Sequence, residues 1–273
     1  MKYNSHKLIS GPLTYIFLII VCIFSVFPLF WMISASTNTS VDIIKGKVFF
    51  GAYLIENIKA LISSVNIGRA FWNSMRNSVV GTVTSLFICS LAGYAFQIYR
   101  DKAKERLMAL LLLSMMVPFA SIMVPLFRMF SQARLLDTTA GFVLPSVSTA
   151  FLIFFFRQSS VTFPVEIVQA ARVDGLGEFG IYTRIYLPVM APTFAAAAIV
   201  TFMNHWNNYL WPLIIMRSQG SQTMPLLTSA MIAGYTTDYG MLMVAVTIYT
   251  LPTLILFITQ QKRFVAGVLG AIK

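Results

Sequence analysis

The chain has 273 residues, of which 58% are hydrophobic and 11% charged, with a mean hydropathy of +0.77. A soluble domain carries about a quarter of its residues as charges, so this composition excludes an ordinary water-soluble fold and makes lipid the solvent. The formal net charge of +11 does not indicate nucleic acid, because Lys and Arg are scattered over short segments and gather on no basic face; anionic headgroups and acidic patches on a partner account for it.

Six apolar runs are long enough to cross a hydrocarbon core about 30 Å thick, near 13–34, 77–97, 107–127, 139–156, 190–215 and 241–260. An even number puts both termini on one side. With the amino terminus inside, twelve Lys and Arg fall on inner segments (among them Lys2, Lys7, Arg100, Lys102, Arg157 and Lys262) against eight outside (among them Lys45, Lys47, Arg128 and Arg217). The positive-inside bias therefore places both termini in the cytoplasm. The whole chain, 1–273, reads as a single transmembrane domain. The first run continues to Trp31 and Met32, beyond the roughly 7 to 15 residues of a secretory signal core, and reads as a retained helix. Cys22 and Cys89 fall inside spans without metal-ligand spacing and read as buried packing residues.

Between the first two spans, segment 37–72 mixes Asp42, Lys45, Lys47, Glu56 and Lys59 with Phe49, Phe50, Leu54 and Ile58, which predicts a short amphipathic helix on the outer surface. The charged run from Arg100 to Arg106 reads as a solvated inner turn. Pro118 and Pro125 lie in the third span. Each removes a backbone donor and disfavours helical geometry just before it, so this helix is expected to be kinked or broken. Broken backbone at membrane depth needs protein or water around it, which places the span inside the bundle, either on a pathway or as packing.

The fifth span opens with Ala195, Ala196, Ala197 and Ala198, which allow close helix approach, and then turns polar with Asn204, His205, Asn207 and Asn208 among Trp206, Tyr209 and Trp211. Such side chains face a neighbouring helix or an aqueous cavity. Flat rings beside amides suit a sugar, covering its C–H faces and bonding its hydroxyls; an interfacial aromatic belt with helix–helix hydrogen bonds fits the same residues. Pro118, Pro125, Asn204, Trp206, Asn207 and Asn208 are thus the candidates for a translocation path or solute contact. His205 has no second His or carboxylate at helical spacing and is given no metal or proton-relay role. The spans hold no paired carboxylates and no nucleophile–base pair, so no covalent chemistry is expected of this chain.

Loop 159–188 is a polar island between the fourth and fifth spans. Pro164 suits a helix's first turn and Glu166 complements the dipole there. Val165, Val168 and Ala171 or Arg172 share one face, which predicts a helix over Val165–Val173. Gly175 permits the left-handed residue that ends it, and a second short helix over 178–186 returns to Leu187 and Pro188. This helix-turn-helix fits a lever offered to a soluble partner, or an amphipathic anchor lying on the membrane.

The run Gln169-Ala170-Ala171-Arg172-Val173-Asp174-Gly175, followed nine residues later by Ile185-Tyr186-Leu187-Pro188, resembles the signature of the membrane subunits of binding-protein-dependent ABC importers: Glu-Ala-Ala, three residues, Gly, nine residues, Ile, one residue, Leu-Pro. The likeness extends to Val124-Pro125-Leu126, Leu135-Leu136-Asp137-Thr138, Phe163-Pro164, the stretch from Trp206 to Leu213, and the tail from Gln261 to Val265 with Gly267 and Gly270, in the carbohydrate branch typified by maltose-type permeases. It implies an all-α, six-helix type I ABC importer permease fold with a cytoplasmic coupling helix. It also implies a second, non-identical permease subunit, a dimer of cytoplasmic ATPases that holds ATP and magnesium, and an extracytoplasmic sugar-binding protein, with no cofactor on this chain. The ATPase-coupling residues would be Glu166, Gln169, Ala170, Ala171, Asp174, Gly175, Ile185, Leu187 and Pro188. Gln169 departs from the usual glutamate and cannot form an ion pair, so that contact is weaker here or passes to Glu166 or Asp174. The tail 261–273 either touches the ATPases or is a basic anchor. Two other readings stand beside this one. An ion-coupled secondary transporter would want an ionisable group at mid-membrane, often with inverted repeats, and neither is legible; an ABC importer of a non-sugar solute would differ only in cargo.

Overall fold

A computed structural model describes residues 12–233 and 237–270, with side chains over 14–233 and 237–260. Lys2, His6 and Lys7, and the side chains of the tail 261–273, lie outside the described residues. In chain order the helices are α1 (Pro12–Ala35), α2 (Ser40–Ile44), α3 (Leu54–Ser64), α4 (Ile67–Ile98), α5 (Lys102–Ser114), α6 (Phe119–Gln132), α7 (Thr139–Val143) and α8 (Ala150–Ser159). They continue with α9 (Val165–Val173), α10 (Glu178–Ile181), α11 (Leu187–Val189), α12 (Ala191–Trp206), α13 (Leu210–Ile215), α14 (Met224–Ile232) and α15 (Tyr239–Gly270). No strand occurs among the described residues.

Three stretches are long and apolar enough to cross a membrane in one piece: Thr14–Ala35, Ile67–Ile98 and Tyr239–Gln260. Three more qualify as bent pairs: Lys102–Ser114 with Phe119–Gln132 at 96°, Thr139–Ser146 with Ala150–Thr162 at 56°, and Glu178–Val189 with Ala191–Ile215 at 82°. Counting each pair as one span gives six; in the last pair Glu178–Val189 is the returning part of the polar island 159–188, and Ala191–Ile215 is the part that falls on the apolar run 190–215. Helix α4 begins ten residues before the predicted second span, because Arg69, Asn73 and Arg76 depress the local hydropathy without interrupting the helix.

The chain divides into two compact units. In the first, Met1–Ile67 with Thr228–Thr250, the end of α1 unwinds into a buried polar knot. The Asn38 side-chain amide donates to the carbonyls of Ser34 and Phe49, both at 2.9 Å, and that of Asn57, on α3, donates to the carbonyls of Ser36 and Asn38, also at 2.9 Å. Buried loop carbonyls need donors, and these two asparagines supply them. A Cβ on Gly240 would sit 2.6 Å from Asn57 Oδ1, so that position has no room for a side chain. Helix α3 is the expected amphipathic helix, with Asn57 and Leu61 buried and Ile55 and Ile62 exposed; Leu61 packs on Val244 and Ala245. Cys89, in the second unit, is buried as expected, but Cys22 is exposed, since most of the apolar residues of α1 from Tyr15 to Phe30 are exposed.

The second unit, Gly68–Leu227 with Leu251–Lys273, is organised on α4. One side of that helix buries Asn73, Ser74, Asn77, Ser78, Gly81, Thr82, Ser85, Cys89, Ser90 and Gly93. Small residues at helical spacing let neighbouring backbones come close. The imidazole of His205, on α12, lies where a Gly81 Cβ would be 2.7 Å from Nε2, and Phe156, on α8, lies where a Gly93 Cβ would be 2.5 Å from its own.

The third span breaks as its prolines predict. Pro118 caps the start of α6, and Pro125 is accommodated inside it. Both are exposed, along with Met115, Met116, Val117 and Val124, so this span is not buried within its own chain as the sequence suggested. The break satisfies itself: the N–H groups of Met115, Met116 and Val117 donate to the carbonyls of Leu112, Leu113 and Ser114, a tightened last turn that lessens the need for surrounding protein.

Candidate functional site

The polar island folds as a compact stub. Pro164 precedes α9, which needs no N–H at that point, and Glu166 lies in the first turn. At the far end Gly175 has φ +81°. Its N–H donates to the Arg172 carbonyl and that of Leu176 to the Ala171 carbonyl, each at 3.0 Å, the paired bonds of a Schellman termination.

The underside of the stub is a sealed core. Val168, Ala171, Phe163, Ile181, Tyr182, Tyr186 and Met190 bury together against Tyr94, with Leu91, Ile98, Leu176, Ile185 and Leu187 at its edge. The returning segment passes through a π-helical turn, Tyr182–Tyr186. A π turn widens the helical repeat beyond four residues, so the rings of Tyr182 and Tyr186 stack, 5.6 Å apart and 23° from parallel. Their hydroxyls pair with Ser90 Oγ at 2.6 Å and Ser160 Oγ at 2.7 Å, tying the stub to α4 and to the end of α8. A second tie is charged. Arg172 Nε donates to Glu178 Oε1 at 2.7 Å and its guanidinium lies 5.4 Å from the centre of the Tyr99 ring. The hydrogen bond from Arg172, then that from Tyr99, holds the Glu178 carboxyl below the usual glutamate range. Nearby, Glu105 accepts from Arg157 at 2.5 Å and from Arg100 at 2.7 Å, so the inner turn also joins α5 to α8.

This packing divides the motif residues. Glu166, Gln169, Ala170, Asp174, Gly175 and Pro188 are exposed; Ala171 is buried; Ile185 and Leu187 are half-buried in the supporting core. Two apolar side chains stand out beside the polar ones, Val173 at 87% and Phe179 at 64% exposure.

A cavity lies elsewhere in the same unit. It has two lobes of about 260 and 470 Å³ that share Ser146, Thr149, Asn204 and Asn208. The larger lobe adds Phe119, Asn207, Tyr209 and Trp211, and the smaller adds Phe151, Phe155, Thr201 and His205. Three helix interruptions meet here. Phe119 follows the break at Pro118, Ser146 and Thr149 flank the break before α8, and Asn207, Asn208 and Tyr209 form the break between α12 and α13. Interrupted backbone at membrane depth is found where it lines a cavity or is covered by protein. Of the sequence candidates, Asn204, Asn207 and Asn208 line the cavity and Pro118 adjoins it, whereas Pro125 is not among the lining residues. Trp206 is 1% exposed and packs on Phe71 and Phe202, with ring centres 5.6 and 5.8 Å away, so it is a core residue. Ser146 and Thr149 are not among the sequence candidates, although three hydroxyl residues, Ser146, Ser148 and Thr149, in the middle of the run 139–156 are a signal for them; nor is the polar stripe of α4.

A chain of broken spans gathered on a mostly apolar cavity that carries a few amides and hydroxyls, with a braced stub on its surface, has the build of a helical membrane permease. Residues 87–269 match the family described as binding-protein-dependent transport system inner membrane component, and the chain belongs to that family. It is 46% identical over 249 residues to the lactose transport system permease protein LacG of Rhizobium radiobacter, covering 91% of each chain. It is 34% identical over 279 residues to the arabinooligosaccharides transport system permease protein AraQ of Halalkalibacterium halodurans, covering 100% of each. The sn-glycerol-3-phosphate transport system permease protein UgpE of Brucella abortus is 27% identical over 270 residues, with 95% of this chain and 96% of that one covered. The fold matches a chain in the crystal structure of a bacterial ABC transporter involved in the import of the acidic polysaccharide alginate, with a TM-score of 0.79 at 20% identity over 97% of this chain and 99% of that chain. The architecture is that of a type I ABC importer permease.

Proposed function

We propose that this chain is the permease subunit of an ATP-driven importer of a sugar or oligosaccharide, acting as one transmembrane domain of the bacterial plasma membrane with both termini in the cytoplasm. The relatives named for lactose and arabinooligosaccharide transport support a carbohydrate cargo. In this reading the chain pairs with a second, non-identical permease and receives solute from an extracytoplasmic binding protein. Two cytoplasmic ATPases, which hold ATP and magnesium, take the stub into a cleft. Their closure drives the spans between inward-open and outward-open states, provided that the nucleotide favours one of the two.

The observation that carries this reading is the two-sided stub. Its outer face offers Gln169, Ala170, Asp174 and Gly175, while its inner face is sealed and hydrogen-bonded to α4 and the end of α8. A projection held this way passes a displacement inward, where a loose loop would absorb it. With Gln169 in place of the family glutamate, Glu166 and Asp174 are the exposed acids available for a basic group on the ATPase.

The test is uptake by the complete complex in proteoliposomes. Gly175→Pro cannot adopt a φ of +81° and loses the hydrogen bond to Arg172; uptake should fall at least tenfold while ATP hydrolysis continues. Gln169→Glu should leave coupling intact or strengthen it. Normal uptake by the Gly175→Pro complex, or uptake by the unaltered complex without ATP, would refute this reading.

A further inference from the structure

We infer that the cavity at the three helix breaks is a solute subsite selective for uncharged, hydroxyl-rich molecules, and that it rejects phosphorylated or uronic ones; this rests on the importer reading above. The lining polar groups are the side chains of Ser146, Thr149, Asn204, Asn207 and Asn208. Each amide carries two donors and an acceptor, the mixed capacity that a sugar hydroxyl answers. Of the hydroxyls, Ser146 already donates to the Val143 carbonyl at 3.1 Å, leaving its acceptor side, and Thr149 already accepts the Leu152 N–H at 3.3 Å, leaving its O–H. Phe119 and Tyr209 in the larger lobe, and Phe151 and Phe155 in the smaller, give flat apolar surface for C–H faces.

Among the described residues, no Lys, Arg, Asp or Glu side chain lines either lobe. His205, the imidazole at the rim of the smaller lobe, is buried with its ring packed over Gly81. Arg217, which follows α13, is not among the lining residues and stacks over Phe127 with its guanidinium 5.0 Å from the ring centre. An anion taken into such a lining leaves water without a counter-charge, a penalty that hydroxyl and amide donors only partly offset. A neutral solute meets no such penalty, and the difference is enough to set at least tenfold discrimination.

The experiment uses the whole complex in proteoliposomes and measures ATP-dependent uptake of lactose and an arabinotriose as neutral probes, with sn-glycerol-3-phosphate and an alginate disaccharide as anionic ones. At least one neutral probe should be carried ten times faster than either anion. Asn204→Arg should lower that uptake at least tenfold, and Asn204→Gln, which keeps the amide, should hold it within about threefold of the original. Faster uptake of an anion, no uptake of a neutral probe, or neutral uptake indifferent to Asn204→Arg would each overturn the subsite. Selective neutral uptake that ignores ATP would instead leave the subsite standing and sink the coupling reading.

Discussion

Gly175 owes its identity to backbone handedness alone. A Cβ built there meets nothing within 4 Å, yet φ is +81°, a conformation that costs most L residues about 1 kcal/mol or more. Its neighbours Arg172 and Glu178 do a different job, closing the turn with charge. Because the folded-state carboxyl of Glu178 is held below its ordinary value, the pair stabilises the stub at neutral pH, and that contribution is lost as the pH falls through and below the carboxylate range. Glu178→Gln should therefore speed hydrogen exchange of the amides around 172–178 at pH 7. The gap between the two proteins, compared at equal pH, should narrow as the pH falls below the ordinary glutamate range. A gap that persists in acid would mean that the ion pair is not what braces the turn. The ends of α9 were legible from sequence because Pro164 and Gly175 each restrict φ in a way that names a helix end. The tyrosine–serine ties were not, since Ser90 and Tyr182 are 92 residues apart and no local pattern links them.

Among the elements, α4 is the one whose character the hydropathy average hides. Its apolar content marks a span, but what α4 does depends on a stripe of small and polar residues that a window mean dilutes. Gly93 is the tightest point along it, with Phe156 Cβ and the Arg157 backbone nitrogen 2.5 and 2.8 Å from where a Cβ would stand. Backbone atoms cannot rotate aside, so Gly93→Ala should destabilise the protein by about 1–3 kcal/mol, read as a lower Tm in detergent. Gly68, near the start of the same helix with open space around it, is the control: Gly68→Ala should leave Tm unchanged or raise it. Equal losses at both sites would show that helix propensity, not close approach to α8, sets the effect. The break at Pro118 was foreseen because proline announces itself. The break at Thr149 was not, because there a side chain takes up a backbone donor; Thr149 accepts the Leu152 N–H at 3.3 Å, and nothing in the hydropathy marks it.

For the molecule as a whole, the three unbroken candidate spans and the three bent pairs fall on runs that length and apolarity pick out, while the cavity could not be read, because it exists only where three distant interruptions come together. The proposed sidedness rests on the Lys and Arg count and is open to direct test. In a background with Cys22 and Cys89 replaced by alanine, Val173→Cys should react with an impermeant maleimide only in inside-out vesicles, and Lys45→Cys only in intact spheroplasts. The reverse pattern would put the stub out of reach of any cytoplasmic ATPase. The exposure of Val173 and Phe179 has a further consequence for the cell. On the importer reading, a freshly inserted copy not yet joined by its ATPases would hold two greasy side chains out into water, the kind of blemish that chaperones and proteases use to tell an orphan from a finished complex. The tip that would serve the assembled machine would then also ration it, since copies made in excess of their companions would be the ones marked for disposal.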